Sequence, residues 1–153
     1  MKFPPLIPGI LERRYKRFLA DVEVGGRTIT VHCPNTGSLL GCCEPGSPVW
    51  LRDDAKPTRK YPFTWVLVRA GGALVCLDTG LPNRLAAEAT QAGRVPGLEG
   101  ARLVKTEPAY AEGGRADLLL EDTAGRAVWV EVKSTTLARG RTALFPDAVT
   151  ERG

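Results

Sequence analysis

Residues 18–33 read FLADVEVGGRTITVHC, and this stretch alternates, turns and alternates again. Phe18, Ala20, Val22 and Val24 fall on one side of an extended chain, and Leu19, Asp21 and Glu23 on the other, the period of two that marks a strand. Gly25-Gly26 supplies a tight turn, and the return run carries Ile29, Val31 and Cys33 on one face, which predicts a hairpin. Working outward, Pro4, Pro5 and Pro8 keep the start of the chain extended, and Pro34-Asn35-Thr36-Gly37 is a turn cluster. Further strands are predicted at residues 48–52, 63–69 and 73–77, with Gly71-Gly72 joining the last two. Five short strands with turn signals and no long helix predict a small closed or half-closed barrel, of the oligonucleotide-binding kind.

The pattern then changes. Residues 82–93 predict one helix, with Pro82 near its first turn and Gly93 at its end. Strands are predicted at 101–106, 115–121 and 127–133, the last two joined by a turn containing Asp122 and Gly125. A helix followed by three strands is a new architectural unit, so the reading is α+β, with domains at 1–80 and 81–153.

Composition narrows the class. No apolar run approaches the roughly 20 residues that span a bilayer, and MKFPPLIPGI is a poor secretory signal. Cys33, Cys42, Cys43 and Cys76 lack Cys-x-x-Cys spacing, so reduced thiols and a cytoplasmic location are expected, not a disulfide or zinc framework. Residues 1–80 hold 11 Lys and Arg against 7 Asp and Glu, a balance of +4, whereas residues 81–153 hold 10 of each. The whole positive excess of the chain therefore lies in the first half, which hints at a polyanionic partner.

Two constellations carry chemistry. Val128, Val130 and Val132 face one side of the last predicted strand, and Trp129, Glu131 and Lys133 the other. A short hairpin sets Asp117 across from Glu131, with Arg115 on the same face. Two facing carboxylates need a counter-charge, which Mg²⁺ or Mn²⁺ meets through oxygen ligands, with Lys133 placed to orient water or stabilise charge on a phosphate. The plain alternative is a solvated Glu-x-Lys with a cross-strand ion pair of Asp117 and Lys133. Three valines and Trp129 argue against a freely solvated edge.

The second constellation is basic and aromatic. Arg13, Arg14, Lys16 and Arg17 interleave with Tyr15 and Phe18, and Lys56, Arg59 and Lys60 lie beside Trp50, Tyr61, Phe63 and Trp65. Cations that follow a phosphate backbone, with rings on which bases stack, suit a nucleic-acid groove. The alternative makes the cations solubilising, and the tryptophans are read as barrel core either way. Asn35-Thr36-Gly37 is explained as a turn held by Asn and Gly.

These motifs together resemble the sugar fermentation stimulation protein family. The resemblance rests on GRADLLLED (114–122), VWVEVKSTTL (128–137) and ALFPDAVTERG (143–153), preceded by ERRYKRFLADV, VHCPNTGSL, a Pro-Gly, and RK…FTW. It implies DNA binding by an oligonucleotide-binding-type barrel, followed by a PD-(D/E)xK nuclease-like α/β domain. Carried over by motif, Asp117 and Glu131 are the metal-holding acids and Lys133 the lysine, with Glu88 the candidate acid from the preceding helix. Arg13, Arg14, Lys16, Arg17, Arg59 and Lys60 become the expected DNA contacts. Ala116 stands where a larger apolar residue is usual. TERG leads into a helix in the family, so the nuclease-like domain is expected to be incomplete at Gly153. Three functions follow: a DNA-binding, regulatory protein with a structural nuclease-like half, an active metal-dependent DNA phosphodiesterase, or a domain whose basic face meets protein.

Overall fold

A computed structural model of the chain describes residues 1–55, 59–111 and 113–145. Lys56 of the second basic cluster and the TERG motif lie outside them. The first strand, β1 (Ile7–Tyr15), is one that alternation passes over because Pro8 and Gly9 interrupt it. Its pairing needs the glycine. A Cβ on Gly9 would lie 2.6 Å from Val22 Cγ1 and 2.8 Å from the Glu23 carbonyl oxygen, so a side chain there would push the strands apart.

Strands β2 (Leu19–Val24) and β3 (Arg27–His32) form the predicted hairpin, with Gly25 and Gly26 both at positive φ. β4 (Pro48–Asp53) and β5 (Phe63–Ala70) follow. β1 pairs antiparallel with β2 and β4, β4 pairs with β5, and a parallel bridge from His32 to Thr64 closes β3 onto β5. The barrel thus has five strands, as expected, but one member differs. β1 takes the place assigned to residues 73–77, while β6 (Ala73–Cys76) extends the sheet beyond β5.

Inside, Leu11, Val22, Val31, Val49, Leu51, Trp65 and Val68 are buried. Trp65 is tolerated there because its Nε1 donates to the Leu67 carbonyl at 2.9 Å. Trp50, also expected in the core, is only half-buried, with the Arg69 guanidinium 5.9 Å over its ring. Phe18, grouped by alternation with Ala20, Val22 and Val24, is 45% exposed, because Tyr15 pairs with Leu19 and leaves residues 16–18 as a loop. Leu19 is buried in its stead.

The chain divides into two compact units, with breaks between Thr79 and Gly80 and between Ser134 and Thr135. In the second, α1 (Leu81–Gln91) ends at Ala92, and Gly93 takes a positive φ. β7 (Arg102–Thr106) is followed by a small ribbon of β8 (Ala109–Ala111) and β9 (Gly114–Arg115). β10 (Leu118–Glu121) and β11 (Ala127–Val130) complete a sheet of order β11-β10-β7. The strand expected at 115–121 is therefore broken: Arg115 belongs to the ribbon, and Asp117 sits at a bend before β10. Leu118 and Leu120 are buried, while Val128 and Val130 are half-buried and Trp129 is 49% exposed. Among the described residues β11 is an edge, contrary to the expectation that its valines and Trp129 are enclosed.

A last hairpin, β12 (Leu137–Arg139) and β13 (Thr142–Leu144), belongs to the barrel unit although it follows the α/β unit in sequence. Cys42 donates its thiol to the Thr136 carbonyl at 3.6 Å, and Leu137 and Ala138 line a groove with Leu40, Ala70 and Val75.

Candidate functional site

Asp117 is fixed by its neighbours before any ligand is considered. Its amide donates to the Val130 carbonyl at 3.1 Å, and its own carbonyl accepts from Glu107 N at 2.9 Å. Its carboxylate takes two further hydrogen bonds, from Asn83 Nδ2 to Oδ1 and from Val132 N to Oδ2, both 2.6 Å. The second of these ends β11, since Val132 gives its N–H to a side chain and leaves the ladder. That is why the strand expected through Lys133 stops at Val130. Asn83 lies in the first turn of α1, the end of a helix that favours negative charge.

The register pairing Leu118 with Val130 makes Asp117 and Glu131 the next opposed positions. Glu131 Oε1 accepts from Lys133 Nζ at 2.6 Å, with both side chains more than half exposed. Arg115 is turned to Glu107 at 3.7 Å. Among the described residues Asp117 has no ion-pair partner; its donors are a neutral amide and a neutral backbone N–H. A half-buried carboxylate with neutral donors and spare lone pairs, opposite a second carboxylate, fits a hard divalent cation. Glu88, the candidate third acid, accepts instead from the Met1 ammonium, and no group of three or more His, Cys, Asp or Glu forms a metal-holding cluster among the described residues. The helix residue that meets Asp117 is Asn83, which sequence reading passed over because a lone Asn in a first turn looks like ordinary helix-start chemistry.

The basic residues separate into two kinds. Arg13 Nε donates to Asp21 at 2.8 Å and lies 5.1 Å over the Tyr15 ring, and that carboxylate raises its pKa. Arg14 is spent on the backbone: it donates to the carbonyls of Arg17 (2.7 Å), Asn35 (3.0 Å) and Gly37 (2.9 Å). Arg59 pairs with Asp54, a carboxylate that also holds Arg52 at 2.7 Å and the Thr64 hydroxyl at 2.6 Å. Lys60 lies 5.5 Å over the Tyr61 ring. Lys16 and Arg17 differ. They sit exposed in the loop between β1 and β2 beside Phe18, both at positive φ (50° and 62°), with no ion-pair partner among the described residues.

The thiols are structural in character. Cys33 and Cys42 are buried, and burial raises the pKa of all four cysteines. Among the described residues no helix is long and apolar enough to cross a membrane.

Closure of five strands in the order β3-β2-β1-β4-β5 defines a protein with an oligonucleotide-binding-type barrel, here joined to an α/β unit that opposes two carboxylates. Family profiles agree on both parts: residues 13–77 match the SfsA N-terminal OB domain, and residues 80–153 match the sugar fermentation stimulation protein RE domain. The chain belongs to the sugar fermentation stimulation protein family. Homologues from Pelobacter propionicus and Geobacter metallireducens are each 54% identical to it over its full length, covering 66% and 67% of their own. The solved structure of Pyrococcus furiosus SfsA in complex with Ca²⁺ superposes with a TM-score of 0.83 at 31% identity, over 99% of this chain and 64% of that one. The chain thus spans about two thirds of the length of the relatives it matches.

Proposed function

We propose that this chain binds DNA through its barrel. The observation that carries the reading is the β1–β2 loop. Lys16 and Arg17 occupy left-handed backbone, a conformation that costs a non-glycine residue roughly 1–2 kcal/mol. Arg14 clamps the loop through the Arg17 carbonyl. The tight reversal between β1 and β2 sets these angles, and the tip it builds presents two cations and an exposed Phe18 with no ion-pair partner for either cation among the described residues, which suits a phosphate backbone. Phosphates meet the cations, and the ring offers a stacking face. Arg13 and Arg59 are already neutralised by Asp21 and Asp54, so Lys16 and Arg17 carry most of the contact. Titration of labelled DNA at several salt concentrations tests this. The slope of log affinity against log salt should shrink by roughly 0.9 for each cation removed in Lys16→Ala and Arg17→Ala. An unchanged slope in the double variant removes the loop as the contact.

A second reading, metal-dependent DNA phosphodiesterase, is favoured by Asp117, a carboxylate opposite Glu131 with no ion-pair partner among the described residues. The Ca²⁺ named for the Pyrococcus furiosus relative gives this reading a precedent within the family. In it the α/β unit is of PD-(D/E)xK type, Asp117 and Glu131 hold Mg²⁺ or Mn²⁺, and Asn83 orients Asp117. The ion, when bound, supplies positive charge to a phosphate and acidifies water. Lys133 adds a cation beside the phosphate. Calorimetric titration with Mn²⁺ should give binding heat that Asp117→Asn abolishes while preserving the fold. Equal heats in both proteins would remove the site.

A further inference from the structure

Beside the carboxylates lies a cavity of about 390 Å³ lined by Tyr110, Ala116, Trp129, Val130 and Glu131. Its two aromatic walls are exposed, Tyr110 by 61% and Trp129 by 49%, so neither ring is core. Both are nonetheless held. The rings meet edge to face at 5.8 Å and 66°. Tyr110 also packs against Gly114, where an added Cβ would come within 2.9 Å of two ring carbons. A strand glycine that seats an exposed tyrosine is a device for fixing a ring at the surface.

Trp129 precedes Glu131 by two residues, about 7 Å in extended chain, and both line the cavity. A nucleotide whose phosphate would be bridged to Asp117 and Glu131 by a divalent cation therefore has its base within reach of the Trp129 ring. Fixed aromatic faces around a cavity of ligand size, next to a phosphate-compatible centre, are what an unpaired base requires.

We infer that this cavity takes one unpaired nucleobase of single-stranded DNA, stacked on Trp129 and bounded by Tyr110. The inference rests on the reading that the chain binds DNA, and it names single-stranded DNA as the form met by the α/β unit. A base inside a duplex is already stacked and cannot enter.

The test is fluorescence anisotropy of the 153-residue chain with a labelled short oligonucleotide, the same strand with an abasic nucleotide, and the duplex. Trp129→Ala should weaken single-strand binding roughly 5- to 150-fold, the worth of one stacked base. The salt slope should not move, since no phosphate contact is lost. Duplex affinity should stay within about twofold, and Trp129→Phe should restore most of the loss. Gly114→Ala, which alters no charge and no aromatic residue, should also weaken single-strand binding by displacing Tyr110. The abasic strand should lose affinity for the wild type but lose no more for Trp129→Ala.

If wild type binds DNA and both Trp129→Ala and Tyr110→Ala bind the single strand as tightly, the inference falls and DNA binding stands. Equal losses on single strand and duplex also overturn it. If the wild type binds neither form, DNA binding itself falls. A melting temperature equal to that of wild type identifies each variant as folded.

Discussion

Asp21 occupies a position that alternation assigns to solvent, yet it is only 6% exposed. The barrel accepts it because three donors reach it: Arg13 Nε (2.8 Å), the Tyr15 hydroxyl (3.0 Å) and the Thr30 hydroxyl (2.8 Å). Burial alone pushes its pKa up. The hydrogen bonds from Arg13, Thr30 and Tyr15 outweigh that and hold it below the usual 3.8. Asp54, under Thr64 and Arg52, is lowered in the same way against its burial. A depressed folded pKa means the unfolded chain binds protons first, so this stability is complete above about pH 4 and is lost as pH falls through the folded value. Asp21→Asn is therefore expected to cost about 1–3 kcal/mol at neutral pH, and the gap to wild type should narrow in acid. Urea unfolding at pH 7 and pH 3 checks this, and a gap that widens in acid would refute it. Gly9→Ala belongs beside it. With a carbonyl oxygen 2.8 Å from the new methyl, β1 must shift, and a loss of more than about 2 kcal/mol is expected in the same measurement.

Among the strands and loops, the parts readable from sequence are those governed by local rules. The β2–β3 hairpin, the turns at Gly71-Gly72 and Asn35–Gly37, and α1 follow from alternation, turn residues and Pro82 with Gly93. Asn35 Oδ1 accepts from Gly37 N at 2.9 Å, the turn expected of those residues. What was missed depends on partners distant in sequence. β1 is a strand because β2 and β4 flank it, despite Pro8 and Gly9. β11 stops early because Asp117, 15 residues away, takes the Val132 N–H. The hairpin of β12 and β13 had one local signal, Gly140 at positive φ between two short apolar runs. Arg14 shows the same limit at its sharpest. Sequence made it one cation of a patch, whereas its fork ties the β1–β2 loop to the carbonyls of Asn35 and Gly37. Arg14→Ala should cost about 2–3 kcal/mol and raise amide exchange at residues 16–18 and 35–37. Arg14→Lys should fail to restore either, because the lysine ammonium stops one bond short of the Nη2 that meets all three carbonyls and leaves no donor in place of Nε. A lysine variant with wild-type exchange would make the clamp a matter of charge alone.

Taken as a whole chain, the barrel unit is discontinuous, made of Lys2–Thr79 and the segment from Thr135, while Gly80–Ser134 forms a unit between them. A sequence read from end to end does not reveal such a return, since nothing in LARGRTAL names its partner. Closure of the barrel needs only β1 to β5, so a chain ending at Thr79 retains every ladder that closes it. It loses Leu137 and Leu144, both half-buried, and the Thr136 carbonyl that accepts the buried Cys42 thiol. Leu40, Ala70 and Val75 then gain exposure on the floor of the groove. Partial burial of two leucines is worth about 1–2 kcal/mol. At roughly 4–8 °C per kcal/mol for a domain of this size, the shortened chain should still fold but melt roughly 4–16 °C below the barrel transition of the full chain. In a Trp50→Phe, Trp129→Phe background the buried Trp65 is the one remaining tryptophan, and its near-ultraviolet circular dichroism in the tryptophan band follows that transition. An unshifted transition would show that the hairpin rests on the barrel without stabilising it, and a chain with no cooperative transition would show that the five ladders are insufficient without it.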